Sequence, residues 1–244
     1  MNKLNSKIAV VTGGGTGIGR AVAEQLAAQG ARVIITGRRA DVLEDAVAEL
    51  DAGVEARCFD AADPDQVADF AADLDYVDVL VNNAGGNTDF DHSAPDNLHG
   101  VAAAWRANFD ANVLSAVLMT TALRPAMRQG ASVITIGSIA ADKGAGSYGA
   151  AKAAVASWNV DLAREVGRAG ITANVVSPGY IAETEFFRDV LNEDGRAALI
   201  EATLTGRAGT PVDIATLVAF LASDQARQIT GQVFAVNGGE LTTR

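Results

Sequence analysis

Short apolar runs recur along almost the whole chain, and longer segments with helical character separate them. Seven runs have the length and near-continuous hydrophobicity of buried strands: residues 7–12, 32–36, 54–59, 78–81, 132–136, 171–176 and 232–236. Helices are predicted between them, at residues 18–29, 41–50, 64–73, 150–166 and 211–221. Apolar strands that alternate with helices indicate a parallel sheet with helices on both of its faces.

The predicted fold is therefore α/β, with one doubly wound, Rossmann-type domain over residues 1–244 and a parallel seven-stranded sheet. The least regular segment, about 180–208, carries Phe186, Phe187 and Leu199 between charged residues. Ligands of such sheets bind at the carboxyl ends of the strands. We therefore expect this segment to form a short helical flap that covers the substrate.

Composition narrows the possible partners. The chain has 19 basic and 30 acidic residues and a net charge of −11, which argues against nucleic acid and anionic membranes as partners. The most apolar long stretch, 111–127, is too short and too polar to span a bilayer, so we expect a buried or interface helix there. A start without an apolar leader favours a cytoplasmic protein. So does the sole cysteine, Cys58, which we expect to be buried.

Two other groups of residues are given ordinary roles. His92 and His99 lie in a polar stretch without the carboxylate spacing of a metal site, so we expect no bound metal. Trp105, Trp158 and the phenylalanines are interpreted as core or interface residues rather than as a substrate cage.

A glycine-rich turn, Thr12-Gly13-Gly14-Gly15-Thr16-Gly17-Ile18-Gly19, connects the first strand to the first helix. Glycines let the backbone turn sharply and approach a pyrophosphate. The helix N-terminus then offers free N–H groups to the anion. The alternative is a tight turn that binds nothing, but the strand–turn–helix context favours nucleotide binding.

The order of motifs along the chain carries a family resemblance. Gly13, Gly17 and Gly19 form a G-x-x-x-G-x-G pattern, and the other motifs are Asn82-Asn83-Ala84-Gly85, Asn112, Ser138, Tyr148-x-x-x-Lys152, Ser177-Pro178-Gly179 and Asn237-Gly238-Gly239. With these residues the chain resembles the short-chain dehydrogenase/reductase family in its compact single-domain form. Much of it looks like the 3-oxoacyl-[acyl-carrier-protein] reductases of that family.

The resemblance implies an enzyme that transfers a hydride between NADP(H) and a ketone or alcohol. The catalytic residues that it implies are Asn112, Ser138, Tyr148 and Lys152. Ser138 would bind the substrate oxygen, and Asn112 would anchor a proton-relaying water chain. Ser138 could instead cap a turn, and Asn112 could be a buried residue satisfied by backbone. The cofactor contacts are assigned to Gly13, Gly15, Thr16, Gly17, Ile18, Gly19, Thr36, Gly37, Arg38, Asp60, Ala61, Asn83, Ala84, Gly85, Tyr148, Lys152, Pro178, Gly179 and Ile181.

Tyr148 and Lys152 are four positions apart on a predicted helix, so they share one face. A cation within about 4–6 Å can lower the pKa of a neighbouring group by about 1–3 units. We therefore expect the pKa of Tyr148 to lie closer to neutral pH, where proton transfer is most effective. The resemblance also implies that Lys152 holds the nicotinamide ribose.

The end of the second strand predicts NADP(H) rather than NAD(H). NAD sites of this architecture place an acidic residue about 20 residues past the glycines. Here Thr36 is followed by Gly37, which leaves space, and by Arg38, which can bind a 2′-phosphate with charge-assisted hydrogen bonds. Arg38 and Arg39 could instead be solvated loop charges, a description that fits Arg39 better. Asp60 could be an adenine contact or a helix-cap residue.

Three further expectations concern assembly, the segment before Tyr148 and competing functions. The apolar helices near 104–127 and 150–166, together with the resemblance, predict a homotetramer. The segment from Ser138 to Tyr148 is shorter than is usual in the family, so it should close tightly and alter the entrance of the substrate site.

A non-catalytic NADP-binding sensor or scaffold is the main alternative function, and a methyltransferase is a third possible function. The presence of both Tyr148 and Lys152 argues against these alternatives.

Overall fold

The computed structural model describes residues 4–50, 53–91, 94–188 and 190–242. The strands are β1 (Ile8–Thr12), β2 (Arg32–Gly37), β3 (Val54–Cys58), β4 (Val77–Asn82), β5 (Met127–Ile136), β6 (Thr172–Pro178) and β7 (Val233–Val236). The helices are α1 (Gly17–Ala28), α2 (Ala40–Glu49), α3 (Pro64–Ala72), α4 (Leu98–Phe109), α5 (Ser115–Leu123), α6 (Ala140–Lys143), α7 (Gly146–Gly167), α8 (Glu193–Glu201) and α9 (Pro211–Leu221).

The seven strands form a parallel sheet in the order β3-β2-β1-β4-β5-β6-β7. β1 lies near the centre of the sheet, and β2 and β3 add to one side of it. The chain then returns to the centre at β4, and β5, β6 and β7 add to the other side. β1 and β4 are therefore the switch point, where the first connections of the two halves diverge and leave a crevice at the carboxyl ends of the strands.

Strand side chains alternate between the two faces of the sheet and build two cores. On β1, Val11 points to a core that includes Leu26 of α1 and Ile214 of α9. Its neighbour Val10 points to a second core with Met119 of α5 and Leu162 of α7. Helices thus cover both faces, and the predicted doubly wound α/β fold is confirmed.

The structure changes two details of the expected elements. Cys58 is exposed rather than buried because β3 is an edge strand and Cys58 is its last residue. The apolar stretch 111–127 is not one helix, because its first residues form a π-helical turn (Asp110–Leu114) before α5. It then passes through a short 3₁₀ turn that contains Pro125, and Met127 already begins β5. The predicted flap does contain a helix, α8.

Candidate active site

A cleft of about 1300 Å³ lies at the carboxyl ends of the strands. Most residues expected at a cofactor or reaction site line it: Gly13, Gly15, Thr16, Gly17, Ile18, Gly19, Thr36, Gly37, Arg38, Asp60, Ala61, Asn83, Ala84, Gly85, Ser138, Tyr148, Lys152, Pro178, Gly179 and Ile181. They come from turns and strand ends spread over most of the chain. Asn112 is the one predicted site residue that does not line the cleft.

The glycine turn has the close packing that its sequence predicts. Gly13 and Gly17 have positive φ angles of 63° and 50°, which side-chain-bearing residues adopt at a cost. A Cβ atom at Gly19 would collide with the carbonyl oxygen of Gly13. Helix α1 begins at Gly17 without a side-chain cap and without an acidic residue in its first turn. Its first N–H groups are therefore available to an anion.

Asn83 holds this turn against the end of β4. Its Nδ2 donates to the carbonyl oxygens of Thr12 at 3.0 Å and Gly13 at 2.9 Å. The Thr12 hydroxyl accepts in return from the backbone N–H groups of Asn83 and Ala84, at 3.0 Å and 2.9 Å. Asn83 was expected as a pocket residue, and its contacts show that it also fixes the shape of the phosphate turn.

The ends of β2 and β3 bring a cation and a carboxylate together in the wall of the cleft. The Arg38 side chain is 76% exposed, and its Nη1 is 4.0 Å from Asp60 Oδ2. Asp60 also accepts from the backbone N–H of Ala62 at 2.9 Å, but it is not a helix cap, because the N-cap of α3 is Asp63. Arg39 instead donates to Glu185 of the flap at 2.8 Å.

Tyr148 and Lys152 lie in the first half of α7, and both residues line the cleft at the carboxyl ends of the strands. Tyr148 is 6% exposed and Lys152 is 5% exposed. The Lys152 Nζ donates to the carbonyl oxygen of Ile136 at 2.9 Å and lies 5.8 Å from the centre of the Tyr148 ring. Ser138 follows β5, and its hydroxyl accepts from the backbone N–H of Ala140 at 3.1 Å, as a turn-capping serine does.

The expected lowering of the Tyr148 pKa is wrong for this structure. Burial raises the pKa of the Tyr148 hydroxyl from 10.0 to about 12, and a hydrogen bond with Ser138 offsets part of that rise. Burial also lowers the pKa of the Lys152 ammonium from 10.5 to about 8. Desolvation disfavours the charged form of each group, and here it outweighs the attraction that the four-residue spacing suggested.

Asn112 is satisfied by backbone groups. Its Nδ2 donates to the carbonyl oxygens of Gly86 and Asn108, both at 2.9 Å, and its Oδ1 accepts from the N–H of Gly86 at 3.1 Å. These contacts join the π-helical turn to the loop after β4 and match the alternative interpretation of Asn112. Its role in a water relay stays a prediction.

A polar cluster around the buried side chains of Asn108 and Ser147 fixes the helix turn that carries Tyr148. The Ser147 hydroxyl donates to Asp89 at 3.0 Å and accepts from Asn108 Nδ2 at 2.9 Å. Asn108 Nδ2 also donates to Asp89 at 3.0 Å. Ser147 is therefore bonded to groups outside the cleft. The cluster ties the loop after β4 to α4 and to the start of α7.

Aromatic side chains cover the reaction centre, although the phenylalanines were interpreted as core or interface residues. The Phe186 ring lies 5.5 Å from the Tyr148 ring and 4.9 Å from Phe187, and Phe90 lies within 6.0 Å of both phenylalanines. These three phenylalanines line the cleft instead of the core or an interface. They stand in irregular segments, where no periodicity marks which face of the chain is buried.

Two charged residues of the cleft wall were also missed. Lys143 ends α6, inside the short segment between Ser138 and Tyr148, and it forms an ion pair with Glu240. Glu240 directly follows the closing Asn237-Gly238-Gly239 turn. Both residues line the cleft. The only sequence signals were the unusual length of the segment and the acidic residue after the closing motif.

Comparison with known proteins identifies the family. The family described as "Enoyl-(Acyl carrier protein) reductase" matches residues 13–240. The chain is 40% identical over 244 residues to the 3-oxoacyl-[acyl-carrier-protein] reductase FabG of Escherichia coli (strain K12), covering 96% of each protein. The chain belongs to the short-chain dehydrogenase/reductase family. It is accordingly an oxidoreductase that acts on carbonyl or alcohol groups.

Two solved structures share the fold closely. A blue fluorescent protein from a metagenomic library, in complex with NADPH, has a TM-score of 0.86 and 35% identity, covering 98% of this chain and 100% of its own. A 7α-hydroxysteroid dehydrogenase, complexed with NADH and 7-oxo glycochenodeoxycholic acid, has a TM-score of 0.89 and 30% identity, covering 98% and 95%. The resemblance found in the motifs therefore extends over the whole fold.

The described residues contain neither a cluster of metal ligands nor a helix that could span a membrane. No group of three or more histidine, cysteine, aspartate or glutamate side chains is arranged to hold a metal ion there, and His92 lies outside the described residues. Within the same ranges, none of the helices has both the length and the hydrophobicity to cross a membrane.

Proposed function

We propose that this protein is a cytoplasmic NADP(H)-dependent enzyme that interconverts ketones and alcohols, with Tyr148 as the general acid and base. The observation that carries the proposal is the convergence of Ser138, Tyr148 and Lys152 in the cleft that the glycine turn opens onto. A non-catalytic sensor needs no such set of groups beside a nucleotide site.

The residues present fit a dinucleotide. The glycine turn offers close backbone approach and free N–H groups to a pyrophosphate, and Gly37 with Arg38 leaves room and a positive charge for a 2′-phosphate. In this proposal Lys152, which lines the same cleft, holds the nicotinamide ribose. The cofactor, when bound, supplies or accepts the hydride.

The protein's own groups supply the proton. With a pKa of about 12, the Tyr148 hydroxyl is protonated at neutral pH and can donate its proton to a substrate oxygen. Ser138 stabilises the same oxygen as negative charge develops on it, in the way that a neutral oxyanion donor does. The buried setting excludes water, so each of these interactions is stronger than in solution.

The substrate class rests on the relatives and on the cleft. The FabG relative is named for 3-oxoacyl thioesters carried on a protein, and the steroid dehydrogenase was solved with a keto bile acid. The aromatic rings beside Tyr148 suit an apolar body next to the reacting carbonyl. We propose a ketone with such a body, and a 3-oxoacyl thioester is the first example to test.

The test is loss of NADPH absorbance with a panel of ketones, diketones and acetoacetyl thioesters. Tyr148→Phe should lower kcat by at least about 100-fold, because general acid catalysis contributes about 10²–10⁴-fold, and should leave NADPH affinity nearly unchanged. Tyr76→Phe is the matched control, since Tyr76 lies under Arg128 outside the cleft. Turnover of Tyr148→Phe within a few-fold of wild type would disprove the role.

We also propose a homotetramer. Apolar side chains stay exposed on the outer helices, among them Val101 and Trp105 on α4 and Val160 on α7. Exposed apolar patches of this kind are typical of subunit interfaces. Light scattering at micromolar concentration should give about four times the chain mass, and a monomer would contradict the proposal.

A further inference from the structure

The ion pair between Lys143 and Glu240 lies in the wall of the cleft, close in sequence to the reaction centre. Lys143 precedes Tyr148 on the segment that begins at Ser138. The backbone fixes this arrangement, because the Ile139 N–H donates to the carbonyl oxygen of Pro178 at 3.0 Å and the Gly179 N–H donates to that of Val236 at 3.1 Å. The pair therefore closes the side of the cleft formed by α6, the end of β6 and the C-terminal turn.

The two members of the pair differ in their exposure and in their bonding. The Glu240 side chain is 3% exposed, whereas the Lys143 side chain is 46% exposed. One Glu240 oxygen, Oε1, accepts from Lys143. The other, Oε2, is buried, and none of the described residues donates a hydrogen bond to it. A buried carboxylate oxygen without a donor is costly, so a hydrogen-bond donor from outside the chain would stabilise it.

A hydroxyl group of a ligand can form hydrogen bonds with both members of the ion pair. It can accept a hydrogen bond from the Lys143 ammonium, which has three N–H donors and gives one to Glu240, and it can donate to the carboxylate. An anion would meet the carboxylate as well as the ammonium, so the pair offers it little net attraction. A purely apolar group would leave Oε2 without a donor.

We propose that Lys143 and Glu240 form a hydroxyl-binding subsite, so that the natural substrate is a ketone that carries a second oxygen function as a free hydroxyl group. This inference rests on the proposed reduction of ketones and narrows its substrate class. Lys143 is the outer member, so an entering hydroxyl meets the ammonium first and reaches the carboxylate as the ammonium moves aside. The apolar body of the same substrate lies against Phe186 and Phe187.

The test compares pairs of ketones that differ by one hydroxyl group. Wild type should have a kcat/KM about tenfold higher for the hydroxylated member of at least one pair, as expected for one hydrogen bond to a charged group. Glu240→Gln and Lys143→Met should each remove most of that preference. Glu49→Gln is the matched control, because Glu49 pairs with Arg20 on the surface outside the cleft, and it should keep the wild-type ratio.

The ratio of kcat/KM for two substrates of one enzyme does not depend on the fraction of the protein that is folded. Urea unfolding of each variant measures whether the substitution has changed the stability. Lys143 is half exposed, so Lys143→Met carries the test if Glu240→Gln unfolds. Ketone turnover without any hydroxyl preference in wild type, or a preference that both variants keep, would overturn this inference alone. Wild type that oxidises neither NADPH nor NADH with any carbonyl compound would overturn the proposed function as well.

Discussion

Replacing Lys152 by methionine should abolish a pH dependence of stability that the wild type owes to this one buried group. Burial lowers the pKa of Lys152 in the folded protein to about 8, whereas the unfolded chain keeps a value near 10.5. The unfolded chain therefore binds the proton more tightly. The penalty for the buried ammonium is complete below pH 8 and fades as the pH rises from about 8 to about 10.5.

The magnitude follows from the two pKa values. At about 1.36 kcal/mol for each pH unit, their difference corresponds to about 3 kcal/mol at neutral pH. Between about pH 7 and about pH 9.5 the wild type should recover about 2 kcal/mol of this amount. Tyr148 does not interfere, because its pKa of about 12 in the folded state and 10.0 in the unfolded chain leaves it mostly protonated in both states up to pH 9.5.

Urea unfolding at both pH values, with equal protein concentrations and no added nucleotide, measures this difference. The free energy of unfolding of the wild type should rise by about 2 kcal/mol more than that of Lys152→Met. Tyr148→Phe keeps Lys152 and should follow the wild type in this range. Equal pH dependence in wild type and Lys152→Met would refute the assignment of a buried, destabilised ammonium.

Three further predictions concern the cofactor, the scaffold and the proton. Arg38→Ala should lower the ratio of kcat/KM for NADPH over NADH by about tenfold to a hundredfold, since charge-assisted hydrogen bonds contribute about 1.5–3 kcal/mol. Arg57→Ala is the control, and an unchanged ratio in Arg38→Ala would contradict the proposed contact with the 2′-phosphate. Asn108→Ala should lower the free energy of unfolding by about 2 kcal/mol, because Asp89 and Ser147 each lose a buried partner; urea unfolding with a loss below about 0.5 kcal/mol would contradict it. Alcohol oxidation should accelerate from neutral to alkaline pH while ketone reduction does not, because the raised pKa of Tyr148 keeps it a proton donor; parallel pH profiles of kcat/KM would argue against Tyr148.

Local pattern and motif order predicted the fold and most of the cleft. A strand that is buried on both faces carries a continuous apolar run, as β1 and β6 do, so its position can be read from a few residues. The glycine turn is equally local, because its geometry depends on the φ angles of Gly13 and Gly17. Parallel topology then brings the strand ends to one edge of the sheet, which gathers the motifs there.

Contacts between irregular segments could not be predicted in this way. Phe90 and Phe186 lie on different loops, and Lys143 meets Glu240 across 97 positions of the chain. Neither pair has a periodic pattern, since each depends on how two loops approach each other in space. The sequence indicated only that the segment before Tyr148 is short and that an acidic residue follows the last glycine.

The pKa of Tyr148 shows the same limit at the level of a single group. The four-residue spacing correctly placed Lys152 on the same face of α7 as Tyr148. The effect of Lys152 on the pKa of Tyr148 depends on how far both groups are buried from solvent, which the sequence does not show. One desolvated pocket raises the pKa of the tyrosine and lowers the pKa of the lysine, so both groups are driven toward their neutral forms. A neutral, protonated tyrosine is the form that reduction requires. The burial that makes Lys152 costly for stability therefore also keeps Tyr148 protonated, while it makes Tyr148 a weaker acid than a free tyrosine.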